Sequence, residues 1–457
     1  MSKRKPPDMI NGNPTSSLVL FTLPIILGNL FQQLYNIVDS IVVGRCVGGD
    51  ALAAVGTSSS ITFLFIAIAT GSSIGSSVVI SQLYGAKQLK EMMTSIYTAI
   101  IAIVVIALVL TGIGVLLNGS ILRLMNTPHK LFGDASVYLH IYFLGLVFLF
   151  LYNITNAIFN ALGESKIPLL FLSFSSILNI VLDLLFVIRY GQGVAGVAWA
   201  TLISQALAAV FSVTVLLVRL RRFKAEGPIS YFDLGAFQRM CKIALPSTLQ
   251  QSIVSFGTVA VQSLVNTFGS VVMAGYAAAT KIDNIAINPM VNIGNAVSTF
   301  TAQNIGANKP ERVRKGYRAG ILMNAVICGA LLILVFLFGD KIIGIFMDTG
   351  ESAASIAVGV KYIHVVSIFY FVMGFMNATN GVLRGSGDIR YFMLSTLVNF
   401  SSRVIFAYTL SIFIAEHAIW WSIPIGWALG LIISRVRYGT GKWKTKSLVD
   451  DCHESED

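Results

Sequence analysis

Residues 23–45 read LPIILGNLFQQLYNIVDSIVVGR: an apolar run with one proline near its start, one acid near its end and a single arginine to close it. The run is long enough to cross a hydrocarbon core about 30 Å thick as a helix. Asp39 stands six residues before Arg45, and a second acid, Asp183, stands six residues before Arg189. At about 1.5 Å rise per residue, both acids lie roughly 9 Å inside the same membrane surface. A carboxylate at that depth is costly unless it faces a wet cavity or a partner, so the pair marks a functional site.

The rest of the chain is built the same way. Hydrophobic residues make up 55% of the 457 positions and charged residues 12%, against about a quarter in soluble domains. Twelve mostly apolar runs, centred near residues 30, 66, 105, 148, 178, 206, 252, 288, 327, 370, 401 and 427, predict an all-α membrane protein of twelve transmembrane helices. Alternating strand patterns are absent, which disfavours a barrel.

Of the 32 Lys and Arg residues, 24 fall in the tails and loops of one side and 6 on the other. The excess predicts a cytoplasmic side that holds both termini. The net charge of +11 then reflects topology and contact with anionic lipid, and no nucleic-acid partner is expected. The first span is too long for a signal peptide, so no cleavage is expected. The four cysteines have no CxxC spacing and predict neither a disulfide nor a metal site.

The chain is duplicated. Leu23-Pro24 recurs as Leu245-Pro246, Gln82-x-x-Gly85-Ala86 as Gln303-x-x-Gly306-Ala307, Tyr138-x-His140 as Tyr362-x-His364, Gly163-Glu164 as Gly387-Asp388, and Asn179 as Asn399. Offsets stay between 220 and 224. Six spans per repeat give two halves of the same orientation, a pattern typical of secondary transporters. The expected organisation is a tail (1–14), a first lobe (15–222), a cytoplasmic linker (223–238), a second lobe (239–438) and a C-terminal tail (439–457). No P-loop sequence is present, so an ion gradient is the expected energy source.

Helical spacing gathers the polar residues of the first half onto faces. Asn29, Gln32, Asn36 and Asp39 share one side of the first span; Tyr138, Asn153, Asn156 and Asn160 line the fourth. Ser175, Asn179 and Asp183 share a sector of the fifth, and Thr201 and Gln205 lie one turn apart in the sixth. Amides and hydroxyls commonly join helices by hydrogen bonds, but that does not account for two acids at one depth. Paired carboxylates in a confined pocket can exchange H+ or Na+ and can also attract a cationic substrate.

The first-span proline with Asp39, the Asn179-x-x-x-Asp183 pair, the Gly163-Glu164-Ser165-Lys166-x-Pro168 and Arg384-Gly-Ser-Gly-Asp388 turns and the two Gln-x-x-Gly-Ala closures together resemble the MATE (multidrug and toxic compound extrusion) transporters. The resemblance runs over about residues 15–438. It implies a V-shaped pair of parallel-related six-helix bundles in a bacterial plasma membrane, monomeric and without a cofactor, exporting small amphiphilic, often cationic compounds in exchange for H+ or Na+. It also implies a cation site at Asp39, Asn179 and Asp183, with a neighbouring network of Tyr138, Asn153, Asn156 and Thr201. Some branches carry second-lobe acids on the seventh and tenth spans; here those positions offer only amides and hydroxyls, so coupling is expected in the first lobe.

The second half has charges of its own. Arg403 occupies the repeat position of Asp183, and Lys281 and Asp283 lie in the eighth span. Either Asp283 pairs with Arg403 or Lys281 as a structural bridge, or these charges face substrate. His140 and His364 are read as interfacial side chains, and Trp420 and Trp421 as interface anchors. The alternative function is a flippase for a lipid-linked oligosaccharide or peptidoglycan precursor, for which Lys281 and Arg403 would hold the diphosphate. No protease or hydrolase motif is present, which argues against an enzyme.

Overall fold

A computed structural model describes residues 7–223, 227–345 and 353–449. The basic triplet Lys3, Arg4 and Lys5, and Cys452, lie outside them. Within the described residues the chain forms fourteen α-helices: α1 (Pro14–Val42), α2 (Gly49–Gly85), α3 (Leu89–Leu124), α4 (His129–Leu144), α5 (Leu146–Ala161), α6 (Lys166–Asp183), α7 (Gly193–Leu220), α8 (Leu234–Asn266), α9 (Ser270–Gly306), α10 (Pro310–Ile345), α11 (Ala353–Ile368), α12 (Tyr370–Ser386), α13 (Ile389–Ile414) and α14 (His417–Gly439). Short π-helical turns follow α1 (Val43–Val47) and α6 (Leu184–Arg189).

Eight of these helices are long and apolar enough to cross a membrane, and the bent pairs α4–α5 and α11–α12 bring the number to ten. The remaining two, α8 and α9, are 33 and 37 residues long but more polar. The most apolar helices, α3 and α10, bury only 17% of their spanning residues inside the protein. A water-soluble fold would do the reverse, so their outer faces belong in lipid.

The duplication is visible in the backbone. The α4–α5 pair bends by 49° at Gly145 and the α11–α12 pair by 49° at Phe369, an offset of 224. Lys87 and Asn308, which follow the two Gln-x-x-Gly-Ala closures, both adopt left-handed φ (59° and 53°), as do Gly163 and Gly387 (82° and 92°). The acid after each of these glycines is paired with the arginine near the end of the last helix of its half. Glu164 meets Arg219 at 3.2 Å, and Asp388 meets Arg437 at 2.5 Å.

By compactness the chain divides into a unit of Leu23–Thr248 and a unit of Met1–Thr22 with Leu249–Asp457. The change of unit therefore falls inside α1 and α8, close to Pro24 and Pro246, where the repeat and charge pattern had suggested the 223–238 segment. Each half holds the first turns of the other half's leading helix. Ahead of α1, Met9 is buried, its carbonyl accepts from the Asn304 amide (3.1 Å) and the Gly12 carbonyl accepts from Arg312 (2.6 Å). Ahead of α8, the Asp233 amide donates to Thr98 (3.0 Å) while the Asp233 carboxylate caps the helix through the Ala236 amide (2.6 Å).

Close helix packing depends on small residues. On α12, Gly381 and Gly385 lie against the backbone of Gly294 and Ser298 on α9, leaving no room for a β-carbon at either position. Gly385→Val should cost about 1–3 kcal/mol through overpacking, read as a lower melting temperature and a smaller folded yield in size-exclusion chromatography. Gly329→Ala, where the added carbon meets nothing, should be neutral.

Candidate functional site

The unit Leu23–Thr248 brings the two expected acids together. Asp183 is fully buried, Asn179 is 4% exposed and Asp39 is half-buried. The carboxyls of Asp39 and Asp183 approach closely enough to share a hydrogen. As carboxylates neither can donate it. Both oxygens of Asp183, one of Asp39 and the side-chain oxygen of Asn179 are buried with no hydrogen-bond partner in the protein. The Asn179 amide meanwhile donates to Thr201 at 3.4 Å, which turns its oxygen away from Thr201. Four acceptors without a donor are a poor way to bury oxygen and a good way to hold a cation.

Local geometry sets this site apart. The π turn Leu184–Arg189 begins at the residue after Asp183, and Val43–Val47 begins four residues after Asp39. Such turns widen a helix locally and recur at functional sites. Towards the Arg45 and Arg189 end, Val42, Val43, Ala51, Val187, Val194 and Val197 form an apolar plug with Val38, Val47, Val55 and Tyr138 against it. Tyr35, one helical turn before Asp39, and Tyr138 lie within electrostatic range of both acids.

Away from the plug a cavity of about 370 Å³ opens, lined by α1, α2, α5, α6 and α7. Gln32, Asn153, Asn156, Asn160, Asn179, Thr201 and Gln205 project into its wall with Tyr35, Tyr152, Ser176 and Ser204. Ile25, Ile66, Leu149, Leu169, Leu172 and Ala208 complete it, so the surface is amphiphilic and carries no formal charge. The side-chain oxygens of Asn156, Asn160 and Ser176 are buried there without a protein partner. Asn36 does not line the cavity; it is exposed, and Ser40 donates to its carbonyl.

In the other unit, Asp283 is 7% exposed and both its oxygens accept from tyrosines, Tyr370 at 2.8 Å and Tyr362 at 3.1 Å. Arg403 acts on this carboxylate through space and hydrogen-bonds Tyr276. The direct partners of Asp283 are thus phenols, where the sequence suggested a bridge to Arg403 or Lys281; Lys281 is exposed. One further reading changes. Trp420 is a core residue, 1% exposed and packed on Tyr362, while Trp421 is exposed. His364 stacks on Phe336 with ring centroids 4.6 Å apart, and His140 is exposed.

Sequence reasoning missed Tyr35, Tyr152 and Tyr370, since a tyrosine in an apolar run is an ordinary core residue. Tyr35 had a signal, its spacing of four from Asp39. Tyr362 had another, its repeat match to Tyr138.

Comparison with known proteins supplies the family. The MatE family model matches twice, at residues 24–185 and 246–409, so the two matches start 222 residues apart. The chain is 29% identical over 443 residues to the probable multidrug resistance protein YpnP of Bacillus subtilis, covering 96% of this chain and 98% of that one. It is 30% identical over 448 residues to the probable multidrug resistance protein YoeA of the same organism, covering 94% and 95%. A solved outward-facing multidrug resistance MATE family transporter of the MOP superfamily has the same fold, with TM-score 0.87 and 24% identity over 97% of this chain and all of that one. With its family model matched twice, its relatives matched end to end and its all-helical duplicated fold, this chain belongs to the MATE family of integral membrane transporters and is not an enzyme.

Proposed function

We propose that this protein is a secondary active multidrug exporter that expels small amphiphilic, cationic compounds in exchange for H+, with Na+ as the alternative coupling ion. It acts as a monomer in a bacterial plasma membrane, both termini cytoplasmic. The observation that carries the reading is the cluster of four donorless oxygens on Asp39, Asp183 and Asn179. A Na+ among the four oxygens satisfies them together, and a proton between the carboxyls bridges one oxygen of each and removes one of the two charges.

The names of the relatives support multidrug efflux, and the cavity supports it physically. Apolar walls with scattered amides and hydroxyls accept many amphiphiles without demanding one shape. Asn179, Thr201 and Tyr35 belong to the cavity wall and to the surroundings of the acids at once. Asp39 and Asp183 do not line the cavity, and a cation on the acid pair opposes a positively charged compound in the cavity by repulsion across this shared wall. A lipid diphosphate would require basic residues, and none lines this cavity, which weighs against the flippase alternative.

Asp39→Asn and Asp183→Asn should each abolish export of a fluorescent cationic dye, with folded yield unchanged or higher because a neutral amide is cheaper to bury than a carboxylate without donors. Normal extrusion by both variants would falsify the assignment. In proteoliposomes, an imposed pH gradient should drive dye counterflow without Na+; counterflow only under a Na+ gradient would transfer the coupling to Na+. Ala208→Phe, which fills part of the cavity wall, should exclude the bulkiest dyes first and leave small ones transported. Uniform loss across a size series would place the substrate elsewhere.

A further inference from the structure

The second half holds a buried acid, Asp283, and a base, Arg403, and only the base stands where the repeat places an acid of the first half. Arg403 on α13 stands at the repeat position of Asp183, offset by 220 residues. Asp283 on α9 stands 221 residues after Thr62 on α2. Tyr362 on α11, the repeat match of Tyr138, donates to the Asp283 carboxylate at 3.1 Å, and Tyr138 lies within electrostatic range of both first-half acids. A guanidinium thus stands where the first half has the Asp183 carboxylate, and the buried acid near it comes from a different helix, α9.

The cluster is built around one buried carboxylate. Asp283 offers two oxygens, and the hydroxyls of Tyr362 and Tyr370 meet them. Tyr276, which hydrogen-bonds Arg403, packs edge-on against Tyr362 with ring centroids 5.6 Å apart. Each carboxylate oxygen thus accepts one phenol hydrogen, and the single negative charge still needs a positive charge to balance it. Yet Arg403 forms no direct ion pair with Asp283; it supplies its charge through space, and its Nε is buried without a partner. Guanidinium geometry favours bidentate contact with carboxylates. Holding the charge back from such contact leaves the tyrosines in the carboxylate's coordination shell.

We infer that Arg403 is a tethered cation: from the repeat position of Asp183 it supplies, as part of the chain, the positive charge that Asp283 would otherwise have to take from an external ion, and so keeps the second half neutralised without one. Its description as the counterpart of a coupling site rests on the function proposed above, but the compensation of Asp283 by Arg403 does not. The groups facing Asp283 are Tyr276 from its own helix, Tyr362 from α11, Tyr370 from α12 and Arg403 from α13; Cys328 of α10 lies beyond Tyr370. No other charged group of the described residues acts on the carboxylate. Removing the guanidinium therefore leaves one buried negative charge that only an external proton or metal ion can neutralise.

The test is thermal stability of the purified full-length protein, in an Asp39→Asn/Asp183→Asn background that silences the first-half site. Melting is followed while Na+ replaces choline at constant ionic strength, and again as pH falls. Introducing Arg403→Met should create a melting temperature that rises with Na+ or with acid, a response the background lacks. Adding Asp283→Asn should abolish that response, and Arg403→Lys should behave as the background does. A melting temperature of the Arg403→Met protein indifferent to Na+ and pH overturns the inference, as does a response that survives Asp283→Asn. Failure of Arg403→Met to fold under every ion and pH condition also overturns it, since no external cation would then be replacing the guanidinium. Because export plays no part in the readout, the outcome is independent of whether Asp39 and Asp183 drive transport.

Discussion

Buried oxygen needs a positive partner, and the two halves of this transporter meet that demand in opposite ways. Around Asp39 and Asp183 the fold supplies no donor to four buried acceptors, so whatever satisfies them must come from outside the protein. Around Asp283 the fold supplies two phenols and a guanidinium, and nothing further is required. The rest of the first unit is arranged about its deficit. A valine plug closes one side, an uncharged amphiphilic cavity opens on the other, and π turns on α1 and α6 shape the helices beside the acids.

The cost of such a site explains why it is compact. An uncompensated buried carboxylate costs several kcal/mol, a large share of the roughly 5–15 kcal/mol that holds a typical domain together. The protein confines that cost to one cluster. Its other conspicuous acids, Glu164 and Asp388, are paired with arginines, and Asp388 is buried only in direct contact with Arg437. Among the described residues, the well-buried aspartates Asp283 and Asp388 have partners in the chain, and Asp183 has none among its hydrogen bonds.

Much of this was legible in the sequence because membranes make polarity expensive. Asp39 and Asp183 stood out in apolar runs, the repeated motifs gave the halves, and the Gly163-Glu164 and Gly387-Asp388 matches became equivalent left-handed turns with equivalent ion pairs. Helical spacing placed Gln32, Asn153, Asn156, Asn179 and Thr201 on the cavity wall, but it misplaced Asn36, since a face angle does not say where along a helix a cavity ends. Tyrosines were the systematic loss. A phenol resembles a core residue in composition, and only contact with a carboxylate, as at Tyr370, gives it a role. Trp420 failed for the mirror reason: nothing in the sequence separates an interfacial indole from one packed on Tyr362 and His417 in the core.

The exchange of leading helix turns between the units has a consequence for how the chain is made. Residues 9–12 are held by Asn304, Lys309 and Arg312, which are synthesised some three hundred residues later. The first unit in turn is complete only when residues up to Thr248, at the front of the second repeat, have emerged. Neither half of the duplication is therefore a self-sufficient folding module, although each carries a full set of six spans in sequence.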